Sequence, residues 1–283
     1  MTTVAVVVPA YQETESLALL LASIQALPET PRVVVAVDGG HWATVQVAEA
    51  GGAEVVVLDR NAGSYAARNA ALDVIMVDPP DVVLFTDADC VVTAAWVTEH
   101  LQALEHADLS GGGVAFTFRG PRPSPAEWVD ACRHLNQDVY VARDGYAATC
   151  NLAVRGELLK AHRFDASLRT GGDVEFCRRV VARTGARLLY TPDALITHPA
   201  RGLRELRVKV DRLVRGIPGQ AHRWQDRPVP SRRLTRGIWR RAQAAGYDVG
   251  LPWGVTACLL DWSFNVRIAR AVQKVKPKVR AVR

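Results

Sequence analysis

The first 90 residues alternate between short apolar runs and amphipathic segments. Four apolar runs of strand length predict buried β-strands at residues 4–8, 32–37, 54–58 and 81–86. Between them, apolar residues recur at helical spacing and predict helices at about 14–27, 42–50 and 64–76. This order predicts an α/β fold with a mostly parallel central sheet, helices on both faces, and ligands beyond the carboxyl ends of the strands.

The pattern changes after residue 110. Three glycines precede a predicted strand at 114–118, and Ser124 and Glu127 form the signature of a capping box for a helix expected to reach about Val141. Another helix is predicted at 173–184, and a basic amphipathic helix begins at Leu203. We expect one domain at residues 1–200 and a basic, mainly helical region at 201–283. Within that region the sequence predicts a linker at 217–236 and a polybasic tail at Lys274–Arg283.

Charge is divided unevenly between these two regions. The chain carries a formal net charge of +6, but residues 201–283 contain 20 Lys and Arg against 5 Asp and Glu. Such a basic region indicates an anionic partner, which the sequence leaves open among a membrane surface, a phosphorylated acceptor and nucleic acid. An ordinary solvated helix surface is the alternative.

The cysteines and the apolar runs indicate the cellular compartment in which the protein is expected. Five cysteines without a Cys-x-x-Cys pair argue against a disulfide framework and a zinc knuckle, and favour a reducing cytoplasm. The apolar run Val4–Pro9 has no basic region before it and is interpreted as a strand. No apolar stretch reaches the roughly 18 residues of a spanning helix. We therefore expect a cytoplasmic protein that at most lies on the inner face of a membrane.

Two carboxylates follow the fourth apolar run, one residue apart. Asp87 and Asp89 come directly after Thr86, and alternate residues of an extended segment point to the same side. Both side chains could therefore bind one hard cation that in turn holds phosphate oxygens. The pattern indicates a metal-dependent enzyme that handles a nucleoside diphosphate. A turn followed by a helix N-cap is the simpler interpretation of the same tripeptide.

Five segments, in this order, resemble the motifs of family 2 glycosyltransferases, which have the GT-A fold. They cover roughly residues 4–200 and are Val6–Glu13, Val37–Gly40, Asn61–Asn69, Asp87–Asp89 and Gly171–Arg179. The resemblance implies a transferase that moves a sugar from a UDP- or GDP-linked donor to an acceptor hydroxyl, with inversion and with Mn²⁺ or Mg²⁺ as cofactor. The segment Val-Asp-Gly-Gly replaces the commoner Asp-Asp-Gly-Ser, which leaves the identity of the base open.

The resemblance also implies roles for individual residues. The donor nucleotide would be bound by residues from the first strand to the acidic motif, namely Pro9, Tyr11, Glu13, Asp38, Arg68 and Asp87. Arg68 could pair with the nucleotide or with a carboxylate of the site, or it could only tie its helix to the sheet. Asp89 would bind the divalent ion directly, with Asp87 reaching the ribose or a metal-bound water. His198 would be a further metal ligand, although a lone His is more often structural.

On the acceptor side, the resemblance implies one base and one hydrogen-bonding residue. The family places a Glu-Asp pair at the head of a helix, and here the aligned residues are Gly172 and Asp173, so that Asp173 alone is the expected base. The helix N-terminus favours its ionised form. Glu175 is a weaker alternative base. Asn151 is expected to bind acceptor hydroxyls.

Two other function classes are alternatives to a glycosyltransferase. A sugar-phosphate nucleotidyltransferase needs a basic Gly-rich loop after its first strand, whereas here that loop is Pro9–Glu13. A non-catalytic protein that binds nucleic acid or a membrane surface would explain the basic region but not the acidic residues before it. We therefore expect a nucleotide-sugar donor, an acceptor that is lipid-linked or phosphorylated, peripheral membrane contact through 201–283, and no nucleic acid.

Overall fold

The computed structural model of the protein describes residues 2–217, 229 and 231–275. In this part of the chain one sheet has the strand order β3-β2-β1-β4-β7-β6-β8-β5. The strands are β1 (Val4–Ala10), β2 (Arg32–Asp38), β3 (Glu54–Leu58), β4 (Val82–Thr86), β5 (Val91–Val92), β6 (Leu109–Thr117), β7 (Asn151–Arg155) and β8 (Leu188–Pro199). Strands β3, β2, β1 and β4 are parallel, and β7 runs antiparallel to β4 and β6. The predicted parallel half of the sheet is confirmed.

The described residues also form helices. They are α1 (Glu15–Gln25), α2 (Trp42–Ala50), α3 (Ser64–Ile75), α4 (Trp96–Leu104), α5 (Pro125–Arg133), α6 (Gln137–Val139), α7 (Gly156–Ala161), α8 (Gly172–Thr184), α9 (Leu203–Gly216), α10 (Gly237–Ala244) and α11 (Leu251–Val275), with a π-helical turn at Tyr140–Asp144. Among the described residues, no helix combines the length and the apolar character needed to cross a membrane.

The sheet has an apolar core on each face, which explains the continuous apolar runs. In β1, Val6 and Val8 belong to the same core as Leu17 of α1, whereas Val7 belongs to the opposite core, together with Leu72 of α3. Successive side chains of a strand point to opposite faces, so a strand covered on both sides has to be apolar at every position.

Contacts group the chain into two units. One takes in the chain up to Thr117 together with Leu135–Pro199; the other takes in Phe118–His134 and the chain from Ala200 onward. Residues 118–134 thus join the second unit, whereas the predicted division placed them in the first. The domain bounds of 1–200 and 201–283 stay a prediction.

The second unit is built from α5, α9, α10 and α11. Its core includes Trp128, Leu206, Ile238 and Phe264, one from each helix. The predicted amphipathic helix from Leu203 is confirmed as α9, with its leucine at 206 buried and its arginines largely exposed. The predicted tail from residue 276 onward, and most of the linker predicted at 217–236, lie outside the described residues.

Two predicted elements have different bounds in the structure. The capping box of Ser124 and Glu127 is confirmed, but α5 ends at Arg133 and not near 141. Leu135 has a φ of 54°, which a right-handed helix cannot contain. Strand β6 begins before the glycines that were predicted to precede it. A Cβ on Gly112 would lie 2.2 Å from the side-chain amide of Asn151, so close packing requires glycine there.

Candidate active site

The polar residues predicted from the sequence follow neighbouring parallel strands at one edge of the sheet. Strand β1 lies between β2 and β4 and is parallel to both. The loop with Tyr11 follows β1, Asp38 is the last residue of β2, and Asp87 follows β4. Carboxyl ends of adjacent parallel strands form the usual ligand-binding edge of such a sheet, and the structure places these segments there. We call this edge the rim.

Asp38 fixes the loop that precedes α3. Its carboxylate accepts hydrogen bonds from the backbone N–H groups of Ala62 at 2.6 Å and Gly63 at 2.8 Å, and the residue is buried. Gly39, with a φ of 93°, lies beside the half-exposed ring of Tyr11. The loops after β1 and β2 and before α3 therefore support one another. Contact of Asp38 or Tyr11 with a nucleotide stays a prediction.

Pro9 and Glu13 flank the exposed Tyr11. Pro9 lies in β1 and is partly buried, and Glu13 comes just before α1. The Glu13 carboxylate accepts a hydrogen bond from the Ser16 hydroxyl, within the turn that begins α1. This contact orders the loop between Tyr11 and the helix. The donor-binding roles of Pro9 and Glu13 are not tested by these contacts.

Arg68 is a buried cation directed at the acidic motif. Its guanidinium donates to the Asp87 carboxylate at 2.5 Å, and the Asp87 side chain is 35% exposed. No hydrogen-bond partner is found for Nε of Arg68 in the described part of the chain. Of the roles considered for Arg68, the structure shows the pairing with a site carboxylate, which orients Asp87 at the rim.

His198 and Asp89 face each other across a short gap. Nε2 of His198 lies 3.5 Å from Oδ2 of Asp89, whose side chain is 30% exposed, while the imidazole itself is buried. Nδ1 of His198 is 2.7 Å from the carbonyl oxygen of Pro199. Because a carbonyl only accepts hydrogen bonds, Nδ1 carries a proton, and in the neutral tautomer Nε2 presents its lone pair to Asp89.

This pair suits a divalent cation. An imidazole lone pair and a carboxylate repel each other unless a proton or a cation lies between them, and both are ligand types for Mn²⁺. Cys90 lies within 4.8 Å of both groups. Burial raises the pKa of its thiol well above the usual range, and the neighbouring Cys150, Asp87 and Asp89 raise it further. A protonated thiol is a poor ligand for a hard cation, so the residues that fit are Asp89 and His198.

The buried Cys150 lies near three acidic side chains of the site. It is a buried residue whose thiol pKa is raised well above the usual range, first by burial and then by the charges of Asp87, Asp89 and Asp173. Asp173 is far from the other two in sequence, yet all three act on the same buried sulfur. Asp87, Asp89 and Asp173 therefore all lie in the neighbourhood of Cys150.

Asp173 lies in the first turn of α8, after the left-handed Gly171. Its Oδ1 accepts a hydrogen bond from the Tyr65 hydroxyl at 3.4 Å and another from the Val174 N–H at 2.9 Å. A Cβ on Gly172 would lie 2.7 Å from the Tyr65 ring. The ring of Tyr65 thus occupies the space of a side chain at 172, which explains why the Glu of the family's Glu-Asp pair is replaced by glycine.

Glu175 points to a different partner. Its carboxylate accepts hydrogen bonds from the Arg179 guanidinium, one turn further along α8, at 2.5 and 3.1 Å. The weaker alternative base is therefore held in an ion pair along its own helix.

Asn151 lies at the rim but points into the core. It pairs with Thr86 across β4 and β7 and is completely buried. Its oxygen accepts hydrogen bonds from Trp96 and His100, and its amide donates to the backbone carbonyls of Gly113 and Ala194. These four bonds use the amide fully, so the geometry gives no support to Asn151 as an acceptor-binding residue. Its contacts show a structural role beneath the rim.

Sequence reasoning assigned no role to Tyr65 or Arg169, and it considered Tyr140 only as one of several aromatic residues that could stack on a sugar or belong to the core. Tyr65 contacts Asp173, as described. Tyr140 stacks on Tyr146 with ring centres 4.7 Å apart, and burial and the charge of Asp173 raise its pKa to about 12. Arg169 donates to the side chain and the backbone of Asn61, at 3.1 and 3.3 Å, in the loop before α3. Aromatic and basic residues are common, and only the fold brings these three to the rim.

The parallel strands β3, β2, β1 and β4, with an acidic residue at the end of β2 and two after β4, form the kind of sheet edge at which α/β enzymes bind their ligands. The family model described as glycosyl transferase family 2 matches residues 5–155, more than half of the chain. The chain therefore belongs to glycosyl transferase family 2, and it is a glycosyltransferase. The resemblance stated from the sequence motifs is confirmed.

Similar proteins agree with this assignment. Glycosyltransferase AglE of Haloferax volcanii is 29% identical over 224 residues, which cover 75% of this chain and 72% of AglE. Among solved structures, the mannosyltransferase PcManGT of Pyrobaculum calidifontis, in complex with GDP-Man and Mn²⁺, matches with a TM-score of 0.57 and 15% identity, over 97% of this chain and 74% of that one.

A second structural match is S. aureus TarS 1–349 in complex with UDP-GlcNAc. It has a TM-score of 0.55 and 17% identity, and the match covers 97% of this chain and 90% of that one. The chain spans 40% of the length of another S. aureus TarS structure that it also matches. At these identities the likeness concerns the fold, and the predicted GT-A architecture is confirmed.

Proposed function

We propose that the protein transfers a glycosyl group from a UDP- or GDP-linked sugar to an acceptor hydroxyl, in a reaction that depends on Mn²⁺ or Mg²⁺. The observation that carries this proposal is the pair formed by Asp89 and the Nε2 atom of His198, 3.5 Å apart at the rim. The presence of Asp87 and Asp173 near the same buried Cys150 supports it, because these carboxylates would serve the donor and the acceptor side.

Asp89 and His198 would hold the cation, which neutralises the diphosphate and stabilises it as a leaving group. Asp87, oriented by the buried Arg68, would reach the ribose or a water bound to the cation. Tyr11 is exposed beside Gly39 and would lie against the base. Arg169, at the loop before α3, adds a positive charge on the donor side of the rim.

Asp173 would act as the base. Its carboxylate would accept the proton of the acceptor hydroxyl as the oxygen attacks the anomeric carbon from the face opposite the leaving diphosphate, which inverts the configuration. The first turn of α8 favours the ionised carboxylate, and the Tyr65 hydroxyl donates a long hydrogen bond to it.

The choice of donor and acceptor remains open within this proposal. PcManGT is described with GDP-Man and TarS with UDP-GlcNAc, which supports a UDP- or GDP-linked donor as the class to test. A lipid-linked or phosphorylated acceptor and a cytoplasmic location remain proposals from charge and cysteine content. Peripheral membrane contact through residues 201–283 is likewise a proposal at this stage.

A panel of UDP- and GDP-sugars tests the function. Turnover of each donor is measured with Mn²⁺, with Mg²⁺ and with excess chelator, and the anomeric configuration of the product is read by NMR. We expect turnover of at least one donor only in the presence of a divalent ion, with inversion. Equal turnover with chelator would refute the metal dependence, and retention of configuration would refute Asp173 as a base in a single displacement.

A further inference from the structure

Helix α11 presents an exposed apolar stripe that nothing in the transfer reaction uses. Leu251, Val255, Leu259 and Trp262 are between 39% and 60% exposed. At 100° per residue they lie within an arc of about 80° on one side of the helix. We call these four residues the α11 stripe. Large exposed apolar side chains gathered on one helix face indicate an interaction surface.

The same part of α11 has no exposed charge. From residue 250 to residue 266 the only charged side chain is Asp261, which is buried and paired with Arg133 at 2.6 Å. The opposite side of the helix packs in the core of the second unit through Ala257 and Phe264. One face of the helix therefore packs in the core, whereas its exposed face is apolar and uncharged.

Basic side chains lie at the C-terminal end of the stripe. The indole N–H of Trp262 donates to the backbone carbonyl of Arg232 at 2.7 Å, and the guanidinium of Arg232 reaches Gln273 on the next turns of α11. Arg267 and Arg270 follow the stripe on the same helix, and both are exposed. The sequence adds five further basic residues between Lys274 and Arg283.

We propose that the α11 stripe and its basic surroundings dock on a membrane surface rich in anionic lipid. Apolar side chains would enter the boundary between headgroups and acyl chains, the Trp262 indole would lie at the level of the headgroups, and the arginines would contact lipid phosphates. The charge of residues 201–283, 20 basic against 5 acidic, complements such a surface and disfavours a second copy of the same region. This proposal does not depend on the transfer reaction.

Vesicle cosedimentation of the full chain tests the stripe. Wild type is compared on phosphatidylcholine vesicles and on vesicles in which phosphatidylglycerol replaces part of the phosphatidylcholine. We expect binding to the anionic vesicles that weakens with salt. The double variant Val255→Asn, Leu259→Asn should bind at least about tenfold more weakly because it loses apolar burial without a change of charge.

Two further variants make the test specific. Val77→Asn makes the same kind of change at an apolar residue that is 85% exposed in the first unit, and it should bind like wild type. Arg270→Gln should weaken binding to anionic vesicles by about fivefold and leave binding to neutral vesicles unchanged. Unchanged thermal unfolding by circular dichroism verifies that each variant is folded.

Absence of wild-type binding to anionic vesicles would overturn the proposal, as would wild-type binding by the stripe variant. Light scattering tests whether a second copy of the chain binds the stripe instead. A wild-type dimer that becomes a monomer in the stripe variant would show such a dimer interface and contradict lipid docking. A protein that turns over a donor but does not bind vesicles would refute the membrane proposal and leave the proposed transfer function standing. A chain that binds vesicles but turns over no donor would leave this proposal standing.

Discussion

Two clusters of charged side chains, one in each unit, have opposite relations to solvent. At the rim, the side chains of Asp87 and Asp89 remain 35% and 30% exposed. In the second unit, the side chain of Asp130 is completely buried and is contacted by His134, Arg201 and Lys209. Burial opposes ionisation of Asp130, but its cationic and hydrogen-bonding neighbours hold its pKa well below the usual range.

The difference distinguishes a site from a structural cluster. A carboxylate whose oxygens are all paired with protein groups contributes mainly to the stability of the fold. Its removal leaves the neighbouring cations without a negative partner. Carboxylates that converge while staying partly exposed have capacity left for a cation and a substrate. Changes at the rim should therefore alter activity with little effect on stability, and changes around Asp130 should do the reverse.

The largest expected effect is at the base. Asp173→Asn should lower kcat by about 10³-fold, because the acceptor hydroxyl loses its proton acceptor. Donor binding and the melting temperature should stay close to wild type. Glu175→Gln is the matched control, since Glu175 lies on the same helix but is paired with Arg179. Steady-state kinetics that show similar losses for both variants would contradict the assignment.

The second effect tests the buried cluster. Asp130→Ala should reduce the free energy of unfolding by about 3–5 kcal/mol, because it leaves the partly buried Lys209 and Arg201 without their carboxylate partner. Asp211→Ala removes an exposed ion pair with Arg267 and should cost less than about 1 kcal/mol. Denaturant unfolding measures both. Equal losses for the two variants would mean that Asp130 is not the structural centre described.

The third effect concerns pH and the polar network beneath the rim. Burial lowers the pKa of His100 from 6.5 to about 4, so the unfolded chain takes up a proton that the folded chain does not. Stability from this residue is present above about pH 6.5 and is lost as pH falls toward 4, by about 3 kcal/mol in total.

His100→Gln removes that titration. The variant should lose less stability than wild type over this acidic range, whereas His106→Gln, at an exposed histidine, should lose as much as wild type. Unfolding free energies measured across the range compare the three proteins. Parallel curves for wild type and His100→Gln would exclude the buried neutral imidazole as a source of acid sensitivity.

The smallest effect tests a positioning residue. The Tyr65 hydroxyl contacts Asp173 through a long hydrogen bond of 3.4 Å. Tyr65→Phe should therefore lower kcat only about fivefold, as for the loss of one weak hydrogen bond, with the KM for the donor unchanged. A raised donor KM with unchanged kcat would place Tyr65 on the donor side instead.

Sequence reasoning located the parts of the site that depend on strand ends. Asp87 and Asp89 were found because a buried strand has to be apolar throughout and these carboxylates end it. The sequence also predicted that Asn151 lies near the site, but it did not predict that the side chain points into the core. A lone polar residue at a strand end does not reveal which side it faces, and its partners, Trp96, His100 and Gly113, lie 38 to 55 residues away in the chain.

Other misses have the same physical origin. The glycines at the start of β6 look like a loop until the close approach of the Asn151 side chain to Gly112 is known. The substitution of the family's Glu by Gly172 appears arbitrary until Tyr65 is seen in its place. Local patterns predicted the elements, whereas close packing between distant residues decided the details.

The central claim is that the rim carboxylates bind nucleoside diphosphate through a divalent cation. Calorimetric titration of UDP and of GDP into wild type, with Mn²⁺ and with chelator, tests it most directly, alongside Asp89→Asn and the control Glu175→Gln. We predict binding of at least one nucleotide that requires Mn²⁺, is lost in Asp89→Asn and is kept in Glu175→Gln. Nucleotide binding of equal affinity with chelator, or in Asp89→Asn, would contradict the claim.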